Sequence, residues 1–267
     1  MRENTIKTIW SEGKAVINGW CSIPSSWSAE VMANQGLDSL TLDLQHGLIN
    51  YDTAVPMLQA ISTTGTMPLA RVPWNEPGII MKMLDAGAYG IICPMINSRA
   101  ECEQFVGACR YANVGGYRSY GPTRVSVYAG SDYFEQANNT VLTFAMIETK
   151  QAVQNVEDIV SVKGLDAVYV GPSDLSITLQ GKPQMEYDDK PELLAVLDTV
   201  VAACKKHGVQ RGIHCTGVAH AQKMIARGFN FVTLLSDHGY LAQAVGGAVK
   251  AMRSGNINPT STSASPY

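Results

Sequence analysis

Short apolar runs recur along the chain, and stretches with helix-forming patterns separate them. Hydrophobic residues fill these runs almost continuously, which is typical of strands that are buried on both faces in a parallel sheet. The pattern predicts eight strands, at 16–23, 39–44, 67–72, 89–96, 141–148, 166–171, 210–215 and 230–236.

The stretches between the runs carry the start and stop signals of helices. SSWSAEVMANQG opens on serine and ends at Gly36, NEPGIIMKMLDAG has Pro77 early and Gly87 at its end, and TGVAHAQKMIARG runs from Thr216 to Gly228. Strand–helix alternation repeated eight times predicts an α/β fold, a (β/α)8 TIM barrel. An open doubly wound sheet is the alternative. That fold usually carries a glycine-rich phosphate loop after its first strand, and SIPSSWS is not one.

Two segments fall outside the repeat. Residues 111–139 form a long insertion rich in Gly, Tyr and Arg, and long loops in compact domains are usually functional or disordered. Residues 254–267 lack an apolar pattern and are predicted to be a flexible C-terminal tail. Since no internal linker marks a boundary, residues 1–253 are predicted to form a single TIM-barrel domain.

Composition excludes several classes of partner. The 267 residues are 46% hydrophobic, carry a formal net charge of −3 and contain no basic block, which argues against nucleic acid and against an electrostatic membrane anchor. The N-terminus has no secretory h-region, and no stretch approaches the ~18 consecutive apolar residues of a membrane span. The six cysteines form no CxxC pair, so we interpret them as reduced thiols and expect a cytoplasmic protein.

Ionisable side chains stand at the ends of the predicted strands, where barrel enzymes place their chemistry. They and their neighbours are Asp43 and His46 after the second strand, Arg71 at the end of the third, Glu148 at the end of the fifth, Gly171, Pro172, Ser173 and Asp174 after the sixth, and His214 in the seventh. A barrel whose strand ends served only as turns would have little use for such residues.

Glu148 and Asp174 follow neighbouring strands, so their carboxylates are expected to converge above the barrel. Two oxygen ligands, with water completing the shell, suit a divalent cation such as Mg²⁺ or Mn²⁺. Each residue alone could instead stabilise the N-terminus of a helix. Because both occur on adjacent strands, metal binding is the favoured interpretation.

Arg71 and His46 are the other two candidates for chemistry. A buried guanidinium needs an anionic partner, which is either a substrate carboxylate or a structural salt bridge to Glu148 or Asp43. His46 titrates near neutrality and can act as a general base, with Asp43 orienting its ring or raising its basicity. A histidine that is merely hydrogen-bonded in a turn is the alternative.

Two further polar positions lie away from these strand ends. Asp85 precedes the fourth strand and is expected at the opposite end of its own barrel, as a surface acid or as part of a neighbouring subunit's site. Arg118 and Arg124, in the insertion, could bind a distal carboxylate or hydroxyls of a substrate, or belong to a solvated or interface loop. No lysine stands at a predicted strand exit, which disfavours Schiff-base chemistry.

The motifs LDLQHG, LARV, KMLDAGAYGIICPM, AMIET and VYVGPSDLS resemble those of the HpcH/HpaI family. These are class II pyruvate aldolases of the 4-hydroxy-2-oxo-heptane-1,7-dioate aldolase type, allied to the citrate lyase β-subunit superfamily. The likeness runs from about residue 16 to residue 250. It implies a TIM barrel and reversible, metal-dependent cleavage of a 4-hydroxy-2-oxo acid to an aldehyde and pyruvate, or a pyruvate analogue such as hydroxypyruvate.

The resemblance also implies roles for individual residues. His46 is the proton acceptor, Arg71 stabilises the transition state and Asp85 raises the basicity of the histidine. Mg²⁺, Mn²⁺ or Co²⁺ is held by Glu148 and Asp174. Substrate contacts fall on Arg71, Met146, Gly171, Pro172, Ser173 and Asp174, with Arg118 added for the aldehyde. The last helix packs on, or is swapped with, a neighbouring subunit in a homo-oligomer, a trimer or a hexamer of paired trimers.

Two positions depart from the family pattern, which often has Gln where this chain has Met146 and Glu where it has Gln45. Both lie near the expected site and argue against the usual diacid substrate. The rival functions are a CoA-thioester lyase of the citrate or malyl-CoA type, a barrel that decarboxylates oxaloacetate, and a non-catalytic barrel that binds an oxo acid. The chain shows no basic patch for CoA.

Overall fold

Eight parallel strands close into a barrel in chain order. The computed structural model describes residues 1–254, and in it each strand pairs with its sequence neighbours while the first strand also pairs with the last. The predicted TIM-barrel fold is therefore confirmed. The strands are β1 (Val16–Cys21), β2 (Ser39–Asp43), β3 (Met67–Arg71), β4 (Gly90–Cys93), β5 (Leu142–Ile147), β6 (Ala167–Val170), β7 (Gln210–His214) and β8 (Phe231–Ser236).

Helices lie between and around the strands. They are α1 (Thr5–Ser11), α2 (Ser26–Ala33), α3 (Tyr51–Ser62), α4 (Pro77–Ala86), α5 (Arg99–Cys109), α6 (Val125–Ala129), α7 (Tyr133–Thr140), α8 (Lys150–Gln154), α9 (Val156–Val160), α10 (Pro172–Gln180), α11 (Pro191–His207), α12 (Val218–Arg227) and α13 (Asp237–Ser254). The predicted start signal of α2 and stop signal of α4 are both present in the structure. Ser25 caps α2 through a hydrogen bond to the backbone N–H of Ser28, and α4 ends at Gly87 with a positive φ.

The barrel interior is aromatic near its N-terminal end and polar in the middle. Phe144 and Phe231 pack against each other with ring centroids 4.9 Å apart, and Trp10 from α1 packs on both. Above them, Asn18 and Thr233 are fully buried and hydrogen-bonded to each other. The barrel interior is thus filled by side chains near its N-terminal end.

The insertion at 111–139 folds against the closed end of the barrel. It follows α5 and precedes β5, so it lies at the N-terminal ends of the strands, where α6 and α7 pack against the core. Arg118 is only 4% exposed and pairs with Asp85, and Arg124 donates to the carbonyl of Ala86. The prediction that Arg118 contacts substrate is corrected for its own barrel, because Arg118 is buried against Asp85 at the N-terminal end and does not line the pocket at the mouth.

The last described helix stands apart from the core. Asp237 is the only buried residue assigned to α13, while Leu241, Val245 and Met252 are each more than half exposed. No helix within residues 1–254 is long and apolar enough to cross a membrane. The predicted flexible tail lies, from residue 255 onward, outside the described residues.

Candidate active site

A pocket of about 300 Å³ opens at the C-terminal ends of the strands. It collects side chains and loop residues from seven of the eight strand ends, as the barrel rule requires. The lining residues are Trp20, Ser22, Asp43, His46, Arg71, Met146, Glu148, Tyr169, Gly171, Pro172, Ser173, Asp174, Met185, His214, Ser236 and His238. Every predicted site residue except Asp85 and Arg118 is in this set.

Glu148 lies at the bottom of the pocket and is 3% exposed. Its Oε1 accepts a 2.7 Å hydrogen bond from the backbone N–H of Met95. A side chain at Gly171 would place its Cβ 2.5 Å from Glu148 Oε2, so glycine keeps the space beside that oxygen open. Burial raises the pKa of Glu148 to about 7; the Met95 N–H opposes this shift, and the charge of Asp174 adds to it.

Asp174 enters the pocket from the first turn of α10. Pro172 occupies the first turn of that helix, which follows β6 directly, and this places Asp174 at the pocket's edge with its side chain exposed. Among residues 1–254 there is no cluster of three or more metal-ligating side chains. Three carboxylates line the pocket. Asp43 is paired with Arg71, whereas Glu148 and Asp174 form no salt bridge among the described residues.

Arg71 and Asp43 form a bidentate ion pair in the wall of the pocket. Arg71 Nε lies 2.9 Å from Asp43 Oδ1, and Nη2 lies 2.6 Å from Oδ2. The Trp20 indole N–H also donates to Oδ2, and the guanidinium lies 4.9 Å from the indole ring. Although burial alone raises the pKa of Asp43, these donors hold it below its usual value. Glu148 and Asp43 were the two acids proposed as salt-bridge partners of Arg71 within the chain, and in the structure the partner is Asp43.

His46 stands exposed at the rim of the pocket. Asp43 Oδ1 accepts hydrogen bonds from the backbone N–H groups of Gln45 and His46, at 3.1 and 3.2 Å. Asp43 therefore fixes the turn that carries His46, but it makes no hydrogen bond to the imidazole among the described residues. The prediction that Asp43 orients the ring is corrected to a role in holding the backbone.

Ser173 and Met146 fill two sides of the pocket. Ser173 Oγ lies 2.9 Å from the sulfur of Met185, in the connection after α10. Met146 lines the pocket and is 2% exposed. It stands where the family often has Gln, so this part of the pocket wall is apolar. Gln45, the second departure, has a buried Oε1 without a hydrogen-bond partner in the described chain.

Asp85 lies at the opposite end of the barrel, as predicted. It lies in the last turn of α4 and accepts a 2.7 Å hydrogen bond from Arg118 Nη2. Arg118 in turn lies 3.1 Å from the Tyr133 hydroxyl and 4.6 Å from the Tyr111 ring. Burial raises the pKa of Asp85 in spite of the Arg118 charge. Within one chain these two residues are separated from the pocket by the packed barrel.

Sequence reasoning missed the contributions of the first and last strands. Trp20 lies in β1 and Ser22 follows it, while Ser236 ends β8 and His238 follows it. The strand-end rule that found Glu148 would have found them too. Two other features leave no signal in the sequence, the positive φ of Met95 and the hydrogen bond between the Tyr169 hydroxyl and His214.

Fold and pocket together define a barrel enzyme with a carboxylate pair, an arginine and a histidine at the mouth. The family model for HpcH/HpaI aldolase/citrate lyase matches residues 20–244. The chain therefore belongs to the HpcH/HpaI aldolase/citrate lyase family, and the resemblance found in the sequence is confirmed.

Similar proteins agree with this assignment. The chain is 39% identical to a hydroxypyruvate/pyruvate aldolase of Rhizorhabdus wittichii over 90% of this chain and 95% of that protein. It is 32% identical to a 4-hydroxy-2-oxo-heptane-1,7-dioate aldolase of Escherichia coli over 91% and 92%. A solved HpcH/HpaI aldolase/citrate lyase family structure from Burkholderia cenocepacia J2315 superposes with a TM-score of 0.86 at 27% identity, covering 94% of this chain and 99% of the other. The prediction of a carbon–carbon lyase is confirmed.

Proposed function

We propose that the protein is a metal-dependent aldolase that cleaves a 4-hydroxy-2-oxo acid to an aldehyde and pyruvate or hydroxypyruvate, and catalyses the reverse addition. The observation that carries this proposal is the convergence of Glu148, Asp174 and Arg71 on one small pocket. A 2-oxo acid presents a carboxylate and a carbonyl oxygen side by side. Two anionic residues that can share a cation, with a guanidinium beside them, match that pattern of charge.

Glu148 and Asp174 are the residues that would hold the divalent cation. The fit rests on their chemistry: both are carboxylates, and Glu148 Oε2 makes no hydrogen bond among the described residues while Gly171 leaves space beside it. When bound, Mg²⁺, Mn²⁺ or Co²⁺ supplies Lewis-acid stabilisation of negative charge on a substrate oxygen. The identity of the metal stays a prediction.

The side chains of this protein account for the remaining chemistry. His46, at the rim, takes the proton from the C4 hydroxyl of the substrate. The C3–C4 bond then breaks, its electron pair moves toward the 2-oxo carbonyl, and the aldehyde leaves. Arg71, already fixed by Asp43, offsets the negative charge that develops on oxygen, a preorganised electrostatic contribution. The N-terminus of α10 favours the substrate carboxylate.

The direct test is proton exchange followed by product formation. With Mg²⁺ or Mn²⁺ present, the wild-type protein is expected to exchange the methyl protons of pyruvate in deuterated water, as followed by NMR, and to form an aldol adduct when an aldehyde is added. His46→Ala should lower the aldolase rate at least about tenfold, roughly 1.4 kcal/mol of barrier. A protein that binds pyruvate but exchanges no protons would be an oxo-acid-binding barrel.

The CoA-thioester alternative makes a different prediction in a binding assay. Thermal-shift measurements should show stabilisation by pyruvate or oxalate and none by acetyl-CoA. The reverse result would favour a lyase of the citrate type. The Asp85 role in a neighbouring subunit, the assembly as trimer or hexamer, and the cytoplasmic location stay predictions.

A further inference from the structure

His214 lies inside the pocket with one ring nitrogen already engaged. The residue ends β7, and its Nδ1 lies 2.9 Å from the Tyr169 hydroxyl. Its ring and that of Trp20 are nearly perpendicular, with ring centroids 5.0 Å apart and the planes 88° to each other. His214 lines the pocket, and Nε2 is its ring nitrogen without a hydrogen-bond partner among the described residues. Nothing in the proposed aldol chemistry uses it.

A buried chain of hydrogen bonds inside the barrel decides which nitrogen of His214 carries the proton. Asn18 Oδ1 accepts from the hydroxyls of Ser39 and Thr41, at 2.8 and 3.1 Å. The amide of Asn18 then presents Nδ2 to Thr233 Oγ1, at 2.9 Å. An amide nitrogen only donates, so Thr233 Oγ1 is an acceptor in that contact.

Thr233 is fully buried, so its own O–H also needs an acceptor. In the described chain its other hydrogen-bonding neighbour is the Tyr169 hydroxyl, 2.8 Å away. Both groups are hydroxyls, and either can donate. Because Thr233 already accepts from Asn18, we infer that Thr233 donates to Tyr169 and that the single proton of Tyr169 goes to His214 Nδ1. This order satisfies every member of the chain. It leaves His214 as the tautomer with hydrogen on Nε2.

The charge on His214 is set by its surroundings. Burial lowers its pKa to about 4, and the neighbouring Arg71 guanidinium acts in the same direction. The ring is thus neutral at physiological pH. A neutral N–H is suited to donate to an uncharged oxygen. Arg71 and the cation site are already assigned to the carboxylate and the 2-oxo group of the substrate, so the group left for His214 is an uncharged oxygen.

We propose that His214 Nε2–H recognises a hydroxyl oxygen on C3 of the oxo-acid donor, so that the enzyme distinguishes hydroxypyruvate from pyruvate. This inference rests on the proposed aldolase function and names the donor that the same site prefers. The donor is favoured over the aldehyde as the source of that hydroxyl because His214 is only partly exposed beside Trp20, whereas His46 and His238 at the rim are exposed. Tyr169 acts as a positioning residue that fixes the tautomer.

The kinetic experiment compares matched donors with one aldehyde that lacks hydroxyl groups. His214→Leu is expected to lower kcat/KM for hydroxypyruvate about tenfold, the loss typical of one neutral hydrogen bond, and to change kcat/KM for pyruvate less than about threefold. His214→Gln, which keeps an N–H donor, should recover part of the preference. Equal losses with both donors, or a loss that depends only on hydroxyls of the aldehyde, would overturn the inference.

A spectroscopic experiment tests the tautomer without any turnover. In ¹⁵N-histidine NMR of the wild-type protein near pH 7, the signals absent from His214→Gln are expected to report hydrogen on Nε2. Tyr169→Phe removes the partner of Nδ1 and should shift these signals toward a tautomer mixture. Hydrogen on Nδ1 in the wild type would contradict the proposal. Absence of aldol product with either donor, with the Nε2 tautomer observed, would instead count against the proposed function.

Discussion

The backbone N–H of Met95 donates a 2.7 Å hydrogen bond to Glu148 Oε1, and Met95 does so with a φ of 57°. It is the only non-glycine residue with positive φ within residues 1–254. A left-handed conformation costs a non-glycine residue roughly 1–2 kcal/mol. Such strain concentrates at functional sites, and here it accompanies the N–H that holds the buried carboxylate of the proposed cation site.

Met95→Gly is therefore expected to be more stable than Met95→Ala by about 1 kcal/mol, since both variants lose the side chain and only glycine is relaxed at this φ. Both keep the N–H, so both should retain metal-dependent activity. Urea unfolding of the two variants measures the difference. Equal free energies of unfolding would show that the backbone here stores no strain.

Arg71→Ala should lower the aldolase kcat at least about tenfold and also destabilise the protein, because it leaves the Asp43 carboxylate buried without its main partner. Arg71→Lys is the matched control, since it keeps the charge but not the forked geometry. We expect it to fold well and to recover only part of the rate. Full turnover by a folded Arg71→Ala enzyme would contradict the assigned role.

Removal of divalent metal with EDTA should abolish activity, and Mn²⁺, Co²⁺ or Mg²⁺ should restore it. Glu148→Gln preserves size and burial but removes the charge that a hard cation requires. Calorimetric titration of this variant with Mn²⁺ is expected to show much weaker binding than the wild type. Full activity in a demonstrably metal-free preparation would refute the cation site.

His214 makes a specific pH dependence of stability testable. Its pKa in the folded state, about 4, lies below the ordinary value of 6.5. Burial is the main cause, and the charges of Arg71 and His220 lower the pKa further. The carboxylate of Asp43 partly opposes this shift. The folded state thus binds fewer protons, and this stability is complete above pH 6.5. It should be lost as pH falls from 6.5 toward 4, by up to roughly 3 kcal/mol.

Denaturation midpoints across that pH range in wild type and His214→Gln measure this contribution, since the difference between the two curves isolates the one titration. The curves should diverge below pH 6.5. Parallel curves from pH 7 to pH 4 would mean that His214 is not held neutral by the fold.

The exposed apolar side chains of α13 lead to a prediction about assembly. Leu241 and Val245 are 58% and 55% exposed in the single chain, which is unusual for neighbouring apolar positions on one helix. Leu241→Glu combined with Val245→Glu should shift the protein to a smaller oligomer in light scattering. The single substitution Lys250→Glu, also on α13, is a control for added charge alone. An unchanged mass for the double variant would exclude this face as the interface.

The sequence by itself determined the barrel and most of the pocket lining. Eight apolar runs with helices between them specify parallel strands, and parallel strands bring all their C-terminal ends to one mouth. Residues as distant as His46 and Asp174 could therefore be assigned to one site from their positions alone. The insertion lies between α5 and β5, so the same rule places it at the N-terminal ends of the strands. Applying this rule to Arg118 would have excluded that residue from the pocket.

Only the tertiary structure decided which polar groups pair with one another. Arg71 could have paired with Glu148 or Asp43, and the hydrogen bonds show Asp43. Asp43 also accepts from the backbone N–H of His46, and among the described residues it makes no hydrogen bond to the imidazole that it was expected to orient. The proton on His214 is set through Thr233 and Tyr169, which come from two other strands. The position of a residue along its strand fixes the depth of its side chain in the barrel. Its hydrogen-bond partners across the interior depend on the size and rotamer of every neighbouring side chain, and no local sequence pattern encodes these.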